Sequence, residues 1–137
     1  MKIAFTSDDG LTVNAHFGQS LQFAIYKMTR SGAVELLEIR RIPTDSGQDE
    51  HGKIAARIAA VEDCALVFLM QIGASAAARV TRKKIMPVKV PGGSSIEGQL
   101  RRLQEMLRGT PPLWLAKIFN EEEALEEGEK QNGRAGR

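Results

Sequence analysis

The stretch CALVFLM at residues 64–70 constrains the fold of this chain more than any other segment. Its seven consecutive residues carry no charged or strongly polar side chain. A run of this length is too short for a membrane span and is typical of a central strand buried on both faces. QIGAS and an alanine-rich segment follow it, which indicates a turn and then a helix. A buried strand that leads into a helix predicts an α/β protein.

The segments that precede this strand predict antiparallel pairing. Residues 2–6 (KIAFT) form a short buried strand that ends at the turn-forming sequence SDDG. Residues 22–28 and 33–42 form two more strands, joined by a tight turn at 31–32. The pattern of the second also fits a helix, but the flanking turn and Pro43 favour a hairpin.

Helices and strands alternate in the rest of the chain. After a polar loop at 43–52, the predicted elements are a helix from about Glu50, the strand at 64–70, a helix at 71–84, a strand at 86–90, a helix at 94–109 capped by Ser94 and Glu97, and an apolar closing segment at 113–119. The order is β-β-β-α-β-α-β-α, which predicts a single-domain mixed sheet flanked by helices.

The formal charge of the 137-residue chain is +2, too small to indicate a nucleic-acid-binding protein. Residues 120–137 hold six acids and three bases, so the body before them is the more basic part. A mildly basic body suits an anionic ligand. We expect one domain at 1–119 and an acidic, disordered tail at 120–137.

The cysteine count and the apolar segments indicate a compartment. Cys64 is the only cysteine, so no internal disulfide can form, which is typical of the reducing cytoplasm. The apolar run near the N-terminus is too short for a signal peptide, and no segment reaches the length of a membrane span. We therefore expect a cytoplasmic protein without membrane contact. A monomer is favoured because no spare apolar stripe is evident outside the predicted core.

Two kinds of loop follow predicted strands and offer candidate chemistry. Asp8 and Asp9 come after the first strand, where paired carboxylates can hold a divalent metal or act in acid–base catalysis, although SDDG is also an ordinary turn. The loop with Gly73 and Ser75 and the loop at 91–95 open predicted helices. Their backbone N–H groups can bind anions or simply be capped. Both loops lie at carboxyl ends of strands, where open α/β sheets bind ligands.

The segment VNAHFGQS places a histidine among polar residues and glycine. His16 is flanked by Asn14 and Gly18, which predicts exposure, and an exposed imidazole can bind transition metals. Cys64 begins the buried strand and is either a structural thiol or a thiolate ligand. One cysteine cannot build a conventional iron–sulfur site, which takes about four protein ligands. His16, His51 and Cys64 also lack the spacing of a zinc motif.

Several segments together resemble the nitrogenase cofactor-carrier family: VNAHFGQS, FAIYKM, KIAARIAAVEDCALVFLMQIGASAAARV, IMPVKV and PPLWLAK. This is the NifX-like group of dinitrogenase iron–molybdenum cofactor biosynthesis proteins, which includes the NafY core and the C-terminal domain of some NifB proteins. The resemblance covers residues 1–119. It rests on the combination of the HFG loop, the glycine-led helix start after a strand and the WLAK ending.

The resemblance implies a ribonuclease-H-like α/β fold that lacks a nuclease site and catalyses no reaction. It implies a carrier that binds a preassembled iron–sulfur precursor cluster, the NifB-derived cofactor, as transient cargo and delivers it to the NifEN scaffold. NifB and NifEN would then be the protein partners. The histidine of the family's HFG loop maps onto His16 as a cluster ligand. The expected site comprises Asn14, His16, Phe17, Gly18, Gly73 and Ser75, with Cys64 as a candidate second metal ligand.

Two alternatives to a carrier stay open at this point. One is a metal-dependent nuclease or phosphoryl-transfer domain that uses Asp8 and Asp9. The other is an adaptor that binds nitrogenase assembly proteins and no metal. The residues agree with the carrier that the resemblance implies, because a preassembled cluster brings its own sulfides and a single imidazole releases it more readily than four thiolates would. They do not distinguish a molybdenum from a vanadium pathway.

Overall fold

A mixed five-stranded sheet forms the centre of the protein. The computed structural model describes residues 1–43 and 49–135, with side chains described as far as residue 128. The sheet consists of Lys2–Thr6 (β1), Gln22–Met28 (β3), Val34–Arg41 (β4), Leu66–Leu69 (β5) and Met86–Lys89 (β6), and a separate short ribbon consists of Thr12–Val13 (β2) and Ser94–Ser95 (β7). The helices are Glu50–Ala60 (α1), Ala74–Arg82 (α2), Ile96–Arg108 (α3) and Leu113–Ala135 (α4), and Phe17–Gln19 forms a 3-10 turn.

The strand order across the sheet is β4-β3-β1-β5-β6. β3 pairs antiparallel with both β1 and β4, whereas β1, β5 and β6 run parallel to one another. Parallel neighbours need a crossover connection, and α2 supplies it between β5 and β6. The predicted single-domain α/β architecture with a mixed sheet is therefore confirmed.

The continuous apolar run at 64–70 is explained by cores on both faces of the sheet. Leu66 and Phe68 belong to a cluster that includes residues of α3 and α4, while Val67 and Leu69 belong to a cluster that includes residues of α1 and α2. All four side chains are at most 3% exposed. A strand covered on both sides has no face that tolerates polar residues.

The start of α3 differs by one residue from the predicted cap. The hydroxyl of Ser95, not that of Ser94, accepts a hydrogen bond of 2.9 Å from the backbone N–H of Gly98. Ser94 and Ser95 are also paired with Val13 and Thr12 in the β2–β7 ribbon, which the sequence pattern does not predict. The Ser94 hydroxyl instead donates to the Pro91 carbonyl, so the Ser95 hydroxyl is the one that caps the helix.

The C-terminal region differs most from prediction. The sequence predicts a disordered tail from residue 120, but α4 continues across this boundary as far as Ala135. Arg30 holds the helix beyond the boundary, because its guanidinium donates to Asn120 at 2.8 Å and to Glu123 at 2.8 Å. Glutamate is also a good helix former, so an acidic composition does not by itself prevent a helix.

The helix expected near Glu50 is present, and the Asp49 carboxylate caps it by accepting from the Gly52 N–H at 2.8 Å. Half of the polar loop predicted at 43–52 falls on residues 44–48, which lie outside the described residues. Among the described residues, no helix combines the length and the apolar character that crossing a bilayer requires.

Candidate functional site

A surface groove of about 560 Å³ opens at the carboxyl ends of β1, β5 and β6. Its lining residues are His16, Met70, Gln71, Lys89, Val90, Pro91 and Gly92. Met70 and Gln71 directly follow β5, and Lys89 is the last residue of β6. Open α/β sheets bind their ligands at this edge, beyond the carboxyl ends of parallel strands.

Two backbone hydrogen bonds hold the loop of His16 against the end of β5. The Phe17 N–H donates to the Gln71 carbonyl at 2.9 Å, and the Met70 N–H donates to the Ala15 carbonyl at 3.2 Å. The side chains of Ala15 and Phe17 are buried, while that of His16 between them is exposed. We call this pair of hydrogen bonds the loop clasp; it presents the imidazole of His16 to the groove.

His16 occupies the N-cap position of the 3-10 turn but does not act as a cap. Its backbone is extended, with φ −77° and ψ 149°, and its side chain makes no capping hydrogen bond. The turn is closed by backbone atoms, because the Gln19 N–H donates to the His16 carbonyl at 3.1 Å. Capping of the turn therefore does not occupy the His16 imidazole.

Asn14 supports the adjoining turn and does not line the groove. Its side-chain oxygen accepts from the Asp8 N–H at 2.9 Å, and its own N–H donates to the Thr6 carbonyl at 3.2 Å. The Thr6 hydroxyl donates to the Ala15 carbonyl at 2.9 Å. The end of β1 is thereby joined to the loop of His16.

The carboxylate of Asp9 organises its own turn. It accepts from the N–H groups of Leu11 and Thr12 at 2.8 Å each and from the Thr12 hydroxyl at 2.7 Å. These hydrogen bonds, those of Thr12 first, hold the pKa of Asp9 well below its ordinary value. A carboxylate used in this way supports the interpretation of SDDG as a turn.

The charge at the groove is positive. Lys89 is exposed, the lining includes no carboxylate, and within the described part of the chain no ion pair engages Lys89. The thioether of Met70 adds a soft donor to the groove that the imidazole of His16 also lines. This combination can take an anionic ligand that exposes metal atoms.

Four more of the residues predicted for the site do not line the groove. Phe17 is fully buried, with its ring centroid 5.8 Å from that of Phe23, so it anchors the loop from beneath. Gly18 lies against α1, where an added Cβ would be 3.3 Å from Ile54 Cδ1; the glycine thus makes room for a core side chain and not for a ligand. Gly73 and Ser75 are exposed at the start of α2, near the groove but outside its lining.

Cys64 lies at the opposite end of the sheet. It precedes β5, whereas the groove follows β5, and the six intervening steps of nearly extended chain span roughly 20 Å. Its thiol is 4% exposed, and burial raises its pKa to about 12. The structure does not bring Cys64 and His16 together, so the proposed site omits Cys64.

The site expected from the sequence includes His16 but omits the other six residues that line the groove: Met70, Gln71, Lys89, Val90, Pro91 and Gly92. The signal that could have found them is positional. Each follows or ends a parallel strand, and the loop at 91–95 does stand out in the sequence as a candidate ligand loop. Their convergence with His16 depends on the order of β1, β5 and β6 in the sheet, which periodicity does not reveal.

Comparison with known proteins identifies relatives over most of the chain. The family model described as dinitrogenase iron-molybdenum cofactor matches residues 1–106. NifX of Sinorhizobium fredii is 35% identical over 124 residues, which are 87% of this chain and 78% of NifX. NifX of Azotobacter vinelandii is 35% identical over 87% of this chain and 75% of its own length.

The match to a third relative covers less than half of that relative's length. NifY of Klebsiella pneumoniae is 42% identical over 83% of this chain, but the match spans only 48% of NifY. Among solved structures, the crystal structure of PH0822 superposes with a TM-score of 0.54 over 83% of this chain and 97% of PH0822. At 20% identity, this likeness bears on the fold alone. The match over residues 1–106 and the NifX relatives show that the chain is a NifX-like member of the dinitrogenase iron–molybdenum cofactor family.

Proposed function

We propose that this chain is a non-catalytic carrier in iron–molybdenum cofactor biosynthesis. It binds a preassembled iron–sulfur precursor cluster as cargo and delivers it to a NifEN-type scaffold. One observation carries this proposal: His16 is exposed in a groove that also holds the Met70 thioether and the Lys89 ammonium but no carboxylate. The imidazole nitrogen and the thioether sulfur are suitable ligands for iron and other transition metals. The ammonium group complements the charge of an anionic cluster.

The small number of ligands supports transient binding. Among the described residues, no group of three or more His, Cys, Asp and Glu side chains could hold a metal ion. A cluster that arrives with its own sulfides needs few protein ligands. A site with one imidazole and one thioether also releases its cargo more readily than a site with four thiolates.

The relatives support the pathway to which the proposed partners belong. One of them is named FeMo cofactor biosynthesis protein NifB, from Bradyrhizobium diazoefficiens, and is 28% identical over 80% of this chain and 24% of its own length. We propose NifB as the supplier of the cargo and NifEN as its acceptor. The order β4-β3-β1-β5-β6, with β3 antiparallel, supports a ribonuclease-H-like fold, and the engaged carboxylate of Asp9 gives no support to a nuclease.

The test is direct capture of the cargo. Apo protein is mixed anaerobically with isolated precursor cluster and desalted, and the iron that remains with the protein is measured. We expect the wild type to turn brown and retain iron, and His16→Ala to lose most of it. His51→Ala is the matched control, because His51 is an exposed histidine in the first turn of α1, outside the groove.

The outcomes separate the parts of the proposal. Retention by His16→Ala equal to that of the wild type contradicts the role of His16. Failure of the wild type to retain iron contradicts carriage and leaves the metal-free adaptor. Delivery is tested by adding apo-NifEN to the loaded protein: iron should move to the scaffold without nucleotide hydrolysis.

A further inference from the structure

β6 forms one edge of the sheet, and a surface groove runs along it. Two adjoining cavities of about 420 Å³ each lie beside residues 85–90. One lies between β6 and α3, and the other lies between β6, the end of α2 and α4. Because Met86, Pro87 and Trp114 line both cavities, the two are parts of one groove, which we call the β6 groove.

The floor of the β6 groove is apolar and partly open to solvent. Met86 is 37% exposed, and Pro87, Val88, Met106 and Trp114 are half-buried. Tryptophan and methionine side chains are enriched in protein–protein interfaces, and tryptophans in pockets often contribute most of the binding energy. This floor therefore has the side chains that anchor a protein partner.

The rim of the β6 groove is positively charged. Its cations are Lys84, Lys89, Arg102 and Lys117, all exposed, and Glu121 is the one carboxylate among the described lining residues. Glu121 lies 3.9 Å from the Lys117 ammonium. In the described ranges, no ion pair engages the other three cations. Cations around an apolar floor complement a partner that combines acidic with apolar side chains.

The backbone of β6 disfavours a partner that binds by adding a strand. The N–H groups of Met86 and Val90 donate to carbonyls on the β5 side, at 2.8 Å and 2.9 Å. Backbone groups alternate in direction along a strand, so those of Pro87 and Lys89 face outward. Because proline has no N–H group, Lys89 supplies the one outward donor of β6. A partner here is therefore held by side chains, as a helix in an apolar groove is.

We propose that the β6 groove binds an acidic amphipathic helix of a partner protein. Residues 86–90 span about 13 Å, which is the length of about two helical turns. Such a helix places large apolar side chains, three or four residues apart, in the two cavities. Its aspartates and glutamates then lie near the unpaired cations Lys84, Lys89 and Arg102.

The β6 groove adjoins the groove of His16. Lys89 and Val90 line both of them. A partner on β6 therefore lies next to the candidate cargo site, which is the arrangement that transfer of cargo between two proteins requires. The proposal goes beyond the carrier function, because binding of the helix needs no cargo, and each of the two can fail without the other.

Selection of helical peptides tests the proposal. Peptides with one randomised face, displayed on phage, are selected on the full chain without cargo. We expect the enriched peptides to combine large apolar residues with Asp and Glu. Lys84→Glu/Arg102→Glu should weaken their binding at least about tenfold, and the difference should narrow at high salt.

Lys27→Glu/Arg41→Glu is the matched control. It makes the same change in net charge at two exposed cations outside the β6 groove, so it should bind the peptides like the wild type. The proposal is overturned if no peptide is enriched, if the enriched peptides are neutral or basic, or if Lys84→Glu/Arg102→Glu binds them as tightly as the wild type.

NMR of the wild type covers the case in which a variant does not fold. With methyl-labelled methionine, an enriched peptide should shift the signals of Met86 and Met106 and leave that of the buried Met28 unchanged. Unshifted Met86 and Met106 signals overturn the proposed site. Sedimentation velocity tests the other occupant: a wild-type dimer that Met86→Gln disrupts would assign the groove to a second copy and overturn the proposal.

Discussion

The Nε of Arg57 donates a hydrogen bond of 3.0 Å to the carbonyl oxygen of Ser20 inside the protein. Its Nη1 donates to the Lys53 carbonyl at 3.0 Å. Arg57 is only 7% exposed, and burial lowers its pKa. Ser20 ends the loop that begins at His16, so a side chain of α1 fixes the far end of that loop while the loop clasp fixes its start.

Arg57→Met should destabilise the protein, because it removes the partner of the buried Ser20 carbonyl. An unsatisfied buried acceptor costs about 1–3 kcal/mol in the free energy of unfolding. Urea denaturation measures this difference. Arg101→Met is the control: Arg101 forms an exposed ion pair with Glu97 at 2.8 Å, which contributes less than about 0.5 kcal/mol. Equal losses in the two variants would contradict the role of Arg57.

Asp63 should make stability depend on pH. Hydrogen bonds from Arg40 and then from Lys2 hold the pKa of Asp63 well below its ordinary value, against a smaller opposing effect of burial. The pKa in the folded state is thus below the unfolded value of about 3.9. The resulting stabilisation is complete above the unfolded value and is lost as pH falls through the folded pKa. The difference in unfolding free energy between the wild type and Asp63→Asn should shrink from pH 7 to pH 2; a constant difference would contradict it.

Cys64 should be chemically inert in the folded protein. Burial raises the pKa of its thiol to about 12, so little thiolate is present near neutral pH. At pH 8, we expect iodoacetamide to label the folded chain at least about a hundredfold more slowly than the chain in urea. Equal labelling rates would show that the thiol is accessible. Cys64→Ala should also capture as much iron as the wild type.

Lys89→Gln should weaken capture of an anionic cluster in a salt-dependent way. Loss of one favourable charge of about 1 kcal/mol lowers affinity about fivefold at low salt. The difference should narrow at high salt, because the screening length falls from about 10 Å at 0.1 M to about 3 Å at 1 M. Lys27→Gln should have no effect on this affinity. Lys27 is an exposed lysine of β3 that lies opposite Lys2, at the other end of β1 from the groove. A salt-independent loss would point to a structural role.

The neighbouring glycines of the 91–95 loop should respond differently to alanine. At Gly92, an added Cβ would lie 2.7 Å from the Met70 Cε, so the Met70 side chain must move within the groove. At Gly93 there is free space, but φ is +85°, and a residue with a Cβ in this region costs about 1–2 kcal/mol. Gly92→Ala should shift the Met70 methyl NMR signal with little change in the free energy of unfolding. Gly93→Ala should lower the free energy of unfolding and leave the Met70 signal unchanged. The opposite assignment would contradict both expectations.

The elements with strong local signals could be predicted from the sequence. The apolar run at 64–70 predicts β5, and the turn at 31–32 predicts the hairpin of β3 and β4. The two-residue strands β2 and β7 could not be predicted, because each is stabilised only by the other across the fold. The helical course of α4 past residue 120 depends on contacts with Arg30, far away in the chain.

The candidate site could be predicted only where it depends on local sequence. Polar neighbours and a glycine indicate the exposure of His16, which is a local property. The partnership of His16 with Met70 and Lys89 is set by the strand order, and the distance of Cys64 from the groove is set by the direction of β5. Sequence shows which side chains have suitable chemistry, and the sheet determines which of them meet.

The loop clasp has a consequence for how this protein can change over evolution. Its two hydrogen bonds join main-chain atoms of residues on either side of His16 to Met70 and Gln71, so the side chain at position 16 has no share in holding the loop. A change at this one codon, for instance His16→Cys, would alter the side chain exposed in the groove without removing either hydrogen bond of the loop clasp. Under the proposed carrier function, selection for a different cargo can therefore act on position 16 without disturbing the loop.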